Sequence, residues 1–186
     1  MIKSIQLMKT QFNQFPVLTT ARLTLRKLLL SDLSELMALR SDPEVNKYLN
    51  RGLTCTKADA EAFVRKIDKT TESAQGFYWA IALNSSPGLI GTICYWNIDP
   101  DLAMAEIGYE LAPAHQGGGF MSEAIEEVMA FGLLQIGLKT ILALTHPDNE
   151  ASINLLKKVG FHLDESHAFV CEADAEGQKV FVFRKS

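Results

Sequence analysis

Glu106-Ile-Gly-Tyr-Glu-Leu-Ala-Pro-Ala-His-Gln-Gly-Gly-Gly-Phe-Met-Ser-Glu-Ala124 reads as a strand that runs into consecutive glycines and then directly into a helix. Glycine admits positive φ and close backbone approach, and the first turn of a helix leaves N–H groups unpaired in positive potential. Together these features make a cradle for an anion such as a pyrophosphate. A glycine-rich turn that closes a strand–helix corner fits the same residues, and local physics leaves both readings open. The spacing is not Gly-x-Gly-x-x-Gly and the preceding strands read as antiparallel, against a dinucleotide fold. No Gly-Lys-Ser/Thr follows, against a nucleoside-triphosphate loop.

Upstream of this stretch, Phe77 to Leu83, Leu89 to Asn97 and Met104 to Leu111 are rich in aromatic and β-branched residues. Turn chemistry at Asn84-Ser-Ser-Pro-Gly88 and Asp99-Pro-Asp101 separates them, which predicts an antiparallel meander. Further upstream, Arg22 to Leu28 alternates as a half-buried strand does, and residues 1–20 read as an extension. Asp32 and Glu35 resemble a capping pair for a short helix ending before Ser41, and Asp42-Pro43 opens a brief helix through Tyr48. Thr56 and Asp59 open a longer helix with Ala60, Phe63, Val64 and Ile67 on one face. Downstream, Met121, Ala124, Ile125, Val128 and Met129 have helical spacing, and Thr140 to Thr145 is a short apolar strand. Asn149 to Val159 is a capped helix stopped by Gly160. Two last strands lie near Phe161–Val170 and Lys179–Arg184. This order predicts a single α/β (α+β) domain over residues 21–186, a mixed sheet with helices packed on its faces.

The 186 residues carry 18 Lys and Arg against 22 Asp and Glu, a net charge of −4, which gives no electrostatic drive towards nucleic acid or an anionic membrane. With 47% hydrophobic residues the chain has ample material for a core. No stretch approaches the roughly 20 apolar residues of a membrane span, and the first residues lack a secretory core, so a soluble cytoplasmic protein is expected. Cys55, Cys94 and Cys171 form no metal-type spacing and read as reduced, mostly buried thiols. His146, His162 and His167 show no ligand spacing, and no metal site is expected.

The glycine stretch also carries a resemblance. Gln116-Gly-Gly-Gly119-Phe-Met121 resembles the Q/R-x-x-G-x-G/A acyl-CoA signature of the GNAT superfamily of N-acetyltransferases, departing from it at Met121. Ala105-Glu-Ile-Gly-Tyr109, Ser122-Glu-Ala124, Asp148-Asn-Glu-Ala-Ser152 and Lys158-Val-Gly-Phe161 are similar to the ribosomal-protein N-terminal acetyltransferase (RimJ/RimL-type) branch, over about residues 20 to 186. The resemblance implies a mostly antiparallel twisted sheet in which acetyl-CoA lies between two splayed strands, one ending at Leu111 and the other near Thr145. Backbone groups near Leu111 would pair with the pantetheine arm. The pyrophosphate would sit on the amides of Gln116, Gly117, Gly118, Gly119, Phe120 and Met121.

A neutral amine attacking a thioester must lose a proton, its oxyanion needs a donor, and the departing thiolate must be protonated. By resemblance, Asn149 contacts the pantetheine arm and Ser152 lies near the thioester sulfur as proton donor, although a helix cap alone explains Asn149. Glu106 is a candidate base, against a plain cross-strand ion pair. Glu172 is a second candidate on the late strands. Tyr109 reads as a wall of the acceptor site or as core, and Arg51-Gly52 as a loop near the acceptor or a plain connection. The expected activity is acetyl-CoA-dependent acetylation of a protein N-terminus. A small-molecule amine as acceptor and a non-catalytic CoA-binding module are the alternatives. A monomer or a homodimer fits equally.

Overall fold

In the computed structural model the described residues are 14–49, 51, 56–73, 75–164 and 181–185. Glu172, Cys55, Cys171, His167 and the stretch between the last two predicted strands lie outside them. The described strands are β1 (Leu18–Thr19), β2 (Leu23–Lys27), β3 (Phe77–Leu83), β4 (Ser86–Asp99), β5 (Met104–Leu111), β6 (Thr140–Thr145), β7 (His162–Leu163) and β8 (Phe181–Lys185). They form one sheet in the order β1-β2-β3-β4-β5-β6-β8-β7. Every neighbouring pair is antiparallel except β5 and β6, which are parallel. A parallel pair needs a long crossover, and the glycine loop with its following helix supplies it. The mixed, mostly antiparallel sheet expected from the sequence is therefore present.

The helices are α1 (Leu33–Ser41), α2 (Pro43–Asn46), α3 (Lys57–Glu72), α4 (Phe120–Phe131) and α5 (Glu150–Lys158). They cover both faces of the sheet. Leu33, Leu36 and Leu39 of α1 and Ala60, Val64 and Ile67 of α3 pack with Tyr78, Ala80 and Cys94 on one face. On the other, Ala124, Ile125 and Val128 of α4 and Leu156 of α5 pack with Phe77, Trp79, Ile81, Tyr95 and Ile107. β3 is buried on both sides, which explains its unbroken run of apolar residues. Burial also pushes the Cys94 thiol well up, keeping it protonated and unreactive.

Local signals were followed closely where they were self-contained. Thr56 and Asp59 cap each other at the start of α3, and Asp42 accepts from the Glu44 and Val45 amides to start α2. At α1 the expected capping pair does not form. Asp32 is buried and receives a bidentate pair from Arg26 at 2.7 and 2.8 Å, with the Leu29 amide at 2.8 Å, and it bonds none of the helix amides. A forked guanidinium outcompetes a single helix amide for a carboxylate. The meander's first turn is also tighter than expected: β4 begins at Ser86, which pairs with Leu83 across Asn84-Ser85.

Candidate active site

Strands β5 and β6 pair only from Met104 opposite Thr140 to Glu106 opposite Leu142. Beyond that point each continues without the other, Ile107 to Leu111 and Ala143 to Thr145, and a gap opens between them. The Ala112 amide donates to the Ile90 carbonyl of β4, so alternation turns the N–H and C=O groups of Ile107, Tyr109 and Leu111 the other way, into the gap. An extended arm carrying amides finds a strand edge there. The side chain of Gln116 donates to the Leu111 carbonyl at 2.9 Å and ties the start of the loop to this edge.

The loop itself is shaped by two glycines in the left-handed region, Gly117 at φ +75° and Gly119 at φ +76°. Gly119 starts α4 with no side chain capping it, and the first backbone bond of the helix runs from Glu123 N–H to Gly119 C=O. The amides of the first turn, from Phe120 to Ser122, therefore have no partner within the helix. Met121 is buried in the core beneath this turn, so its departure from the signature leaves the amide surface clear.

One anchor of this loop was not foreseen. Arg22 donates to the Gly118 carbonyl at 2.9 Å, its guanidinium lies 4.4 Å over the Phe120 ring, and its Nε meets Glu123 at 2.6 Å. Glu123 also accepts from the Arg22 amide and the Thr20 hydroxyl. Burial pushes the Glu123 carboxyl up, but the hydrogen bonds from Thr20 and Arg22 and the charge of Arg22 outweigh it, leaving it below its ordinary 4.5. The start of the chain thereby clamps the loop. Nothing local in the sequence announces a contact between residues 101 positions apart.

At the start of α5, Asn149 accepts from the Ser152 amide at 3.1 Å, so it does cap the helix. Ser152 Oγ lies 2.8 Å from the Tyr109 hydroxyl, linking α5 to β5. Burial pushes the Tyr109 phenol up, and the bond to Ser152 lowers it somewhat, to about 12. It stays protonated at neutral pH.

Period-two alternation puts Glu106, Gly108 and Glu110 on the opposite face of β5 from Tyr109. Glu106 is half-buried, and among the described residues no hydrogen bond or ion pair engages its side chain. The cross-strand pair that would have explained it structurally is not formed there. Glu110 is buried and heavily engaged: Arg51 at 2.5 Å, Arg40 at 3.7 Å, Thr92 at 3.0 Å and Tyr78 at 3.3 Å. Arg51 also donates to Asn46 at 2.7 Å. Just before Arg51, Tyr48 stacks on His146, the residue after β6, with centroids 5.5 Å apart. The segment after α2 therefore reaches both arms of the gap. The signal for Glu110 was available, because a second glutamate four residues after Glu106 in an otherwise apolar strand falls on the same face and asks for a buried partner.

A family model described as an acetyltransferase (GNAT) domain matches residues 22–162. Uncharacterized N-acetyltransferase p20 of Bacillus licheniformis is 36% identical over 144 residues, 77% of this chain and 81% of that protein. Among solved structures, RimL, the ribosomal L7/L12 alpha-N-protein acetyltransferase in complex with coenzyme A, superposes with a TM-score of 0.76 at 19% identity, covering 91% of this chain and 97% of its own. The spermidine N-acetyltransferase of Vibrio cholerae, in complex with CoA and spermine, gives 0.75 at 21% identity, covering 89% and 96%. With a splayed strand pair leading to a helix whose first-turn amides have no partner within it, and with these likenesses over most of its length, the chain belongs to the GNAT family and is an acetyl-CoA-dependent N-acetyltransferase.

Proposed function

We propose that this protein acetylates the N-terminal α-amino group of a protein, a ribosomal protein being the leading case, by direct attack of the amine on the thioester. The placement of Glu106 on one face of β5 and of Ser152, bonded to Tyr109, on the other carries this reading. An amine approaching from the Glu106 side meets a carboxylate free to take its proton, directly or through water. The thiolate leaves towards Ser152, whose hydroxyl protonates it. Glu172, outside the described residues, is the second candidate for the base. The gap-facing amides of β5 are the donors for the oxyanion. The loop amides from Gly117 to Met121 hold the pyrophosphate, the Gln116 amide being donated instead to the Pro113 carbonyl at 3.1 Å, and the Leu111 edge together with the side-chain NH2 of Asn149 meets the pantetheine arm. Residues 21–186 form the catalytic domain together with Leu18–Thr19, whose strand joins the sheet, and the composition suits a cytoplasmic enzyme.

The α-amino acceptor is supported by the joined motifs from Ala105 to Phe161 that resemble the RimJ/RimL branch. A small amine is the second reading, because a spermidine acetyltransferase superposes about as well as RimL does. Labelled acetyl-CoA incubated with the purified protein and an extract of its host separates the two. Label in one ribosomal protein supports the leading reading, and label in the small-molecule fraction replaces it with the second. CoA binding with no labelled product would leave a non-catalytic binding module.

A further inference from the structure

We propose that Tyr109 is the positioning residue behind Ser152: its phenol donates to Ser152 Oγ, turns the serine hydrogen towards the gap, and replaces the serine proton when that proton goes to sulfur. This rests on the reading of Ser152 as proton donor. The two oxygens are 2.8 Å apart, and either atom has a hydrogen to give. Chemistry decides between the two directions. A serine hydroxyl has one hydrogen and two lone pairs. If Ser152 donated to Tyr109, its hydrogen would be spent on the phenol and none would face the thiolate. A phenol is a stronger acid than an aliphatic alcohol, so it is also the better donor of the pair.

The surroundings suit this direction. Tyr109 sits on a strand paired along its other edge with β4, opposite Ile93, and its ring packs against the core, so the phenol is held in place. Ser152 lies in the first turn of α5, with its amide engaged by Asn149, where the helix end favours negative charge building on Oγ. Burial keeps the phenol protonated and ready to donate.

The step balances. As the C–S bond breaks, its electron pair stays on sulfur. Sulfur takes the proton of Ser152, Ser152 takes the proton of Tyr109, and the phenolate regains one from solvent. That last proton balances the one the acceptor nitrogen has lost.

Tyr109→Phe keeps the ring and its packing and removes only the hydroxyl. It is expected to lower kcat by about 10-fold or more, with acetyl-CoA affinity by calorimetry within about 2-fold of wild type. Ser152→Ala is expected to lower kcat further, and the double variant to be no slower than Ser152→Ala, since the phenol acts through the serine. Single-turnover rates in mixtures of light and heavy water should show two protons in flight for wild type and one for Tyr109→Phe. In the protein alone, the 19F resonance of 3-fluorotyrosine at position 109 should move on Ser152→Ala. Unchanged kcat in Tyr109→Phe, an unmoved resonance, or a double variant slower than Ser152→Ala overturns the proposal while leaving Ser152 as donor. Unchanged kcat in Ser152→Ala overturns both this proposal and the reading it rests on.

Discussion

On the face of the sheet that carries α4 and α5, the unpaired polar groups are mostly backbone: the edge of β5 beyond Glu106 and the uncapped first turn of α4. On the face that carries α1 and α3, the polar groups are side chains paired with one another, with Glu110, Arg51, Arg40, Tyr78 and Thr92 in one buried network and Tyr48 stacked on His146. Backbone amides are supplied by any sequence that can adopt the turn, so that face can bind one shared ligand while its side chains vary. A network of charges depends on each member's identity and position. Damage to one face should therefore leave the other intact.

The largest effect is expected on the charged face. Glu110→Ala removes the buried carboxylate that Arg40 and Arg51 share and should cost about 3 kcal/mol of folding stability, measured by chemical denaturation, with acetyl-CoA affinity near normal in the folded fraction. A joint loss of affinity would break the separation of the faces. Next, Ser152→Ala should lower kcat by about 10²-fold, equivalent to about 2.7 kcal/mol, and leave acetyl-CoA affinity alone. Turnover at the wild-type rate would remove the hydroxyl from the reaction. Gly119→Val places a β-branched residue at φ +76° and should weaken acetyl-CoA binding by about 10-fold or more. Normal affinity in calorimetry would put the phosphates elsewhere.

The smallest effect concerns the clamp on the loop. Glu123 has its carboxyl pKa lowered by folding, so its ionised form adds stability above the ordinary 4.5, and that contribution is lost as pH falls through the folded-state value. Thermal melts of wild type and Glu123→Gln should therefore differ at pH 7 and converge as the pH is taken below the ordinary 4.5 and through the lower folded-state value. A constant difference at all pH values would mean that the carboxylate's charge does not hold the clamp.

Several elements could be read without the structure because their causes are local. The cap of α3 needs only Thr56 and Asp59, and the stop after α5 needs Gly160, which does take φ +85°. The glycine loop was legible for the same reason, since φ at Gly117 and Gly119 is a property of those residues. Asp32 shows where such reading fails: its expected partner was an amide of the helix that follows it, but Arg26 of β2 and the Leu29 amide took the carboxylate. Tyr109 failed differently. An aromatic residue on a strand reads as core, and it does pack there, but its hydroxyl finds Ser152, 43 residues on.

By itself, then, the sequence determined the order of elements, the glycine loop and the capped start of α5, each of which depends on backbone preference or spacing within a few residues, while Glu106 and Ser152 became candidates through the family resemblance. Only the tertiary structure decided that β5 and β6 part after Glu106, that Ser152 meets Tyr109 on the face of β5 opposite Glu106, that Arg22 and Glu123 clamp the loop, and that Glu110 is held by two arginines. These are contacts between segments distant along the chain. Their partners are chosen by how the helices pack on the sheet, which no local run of residues encodes.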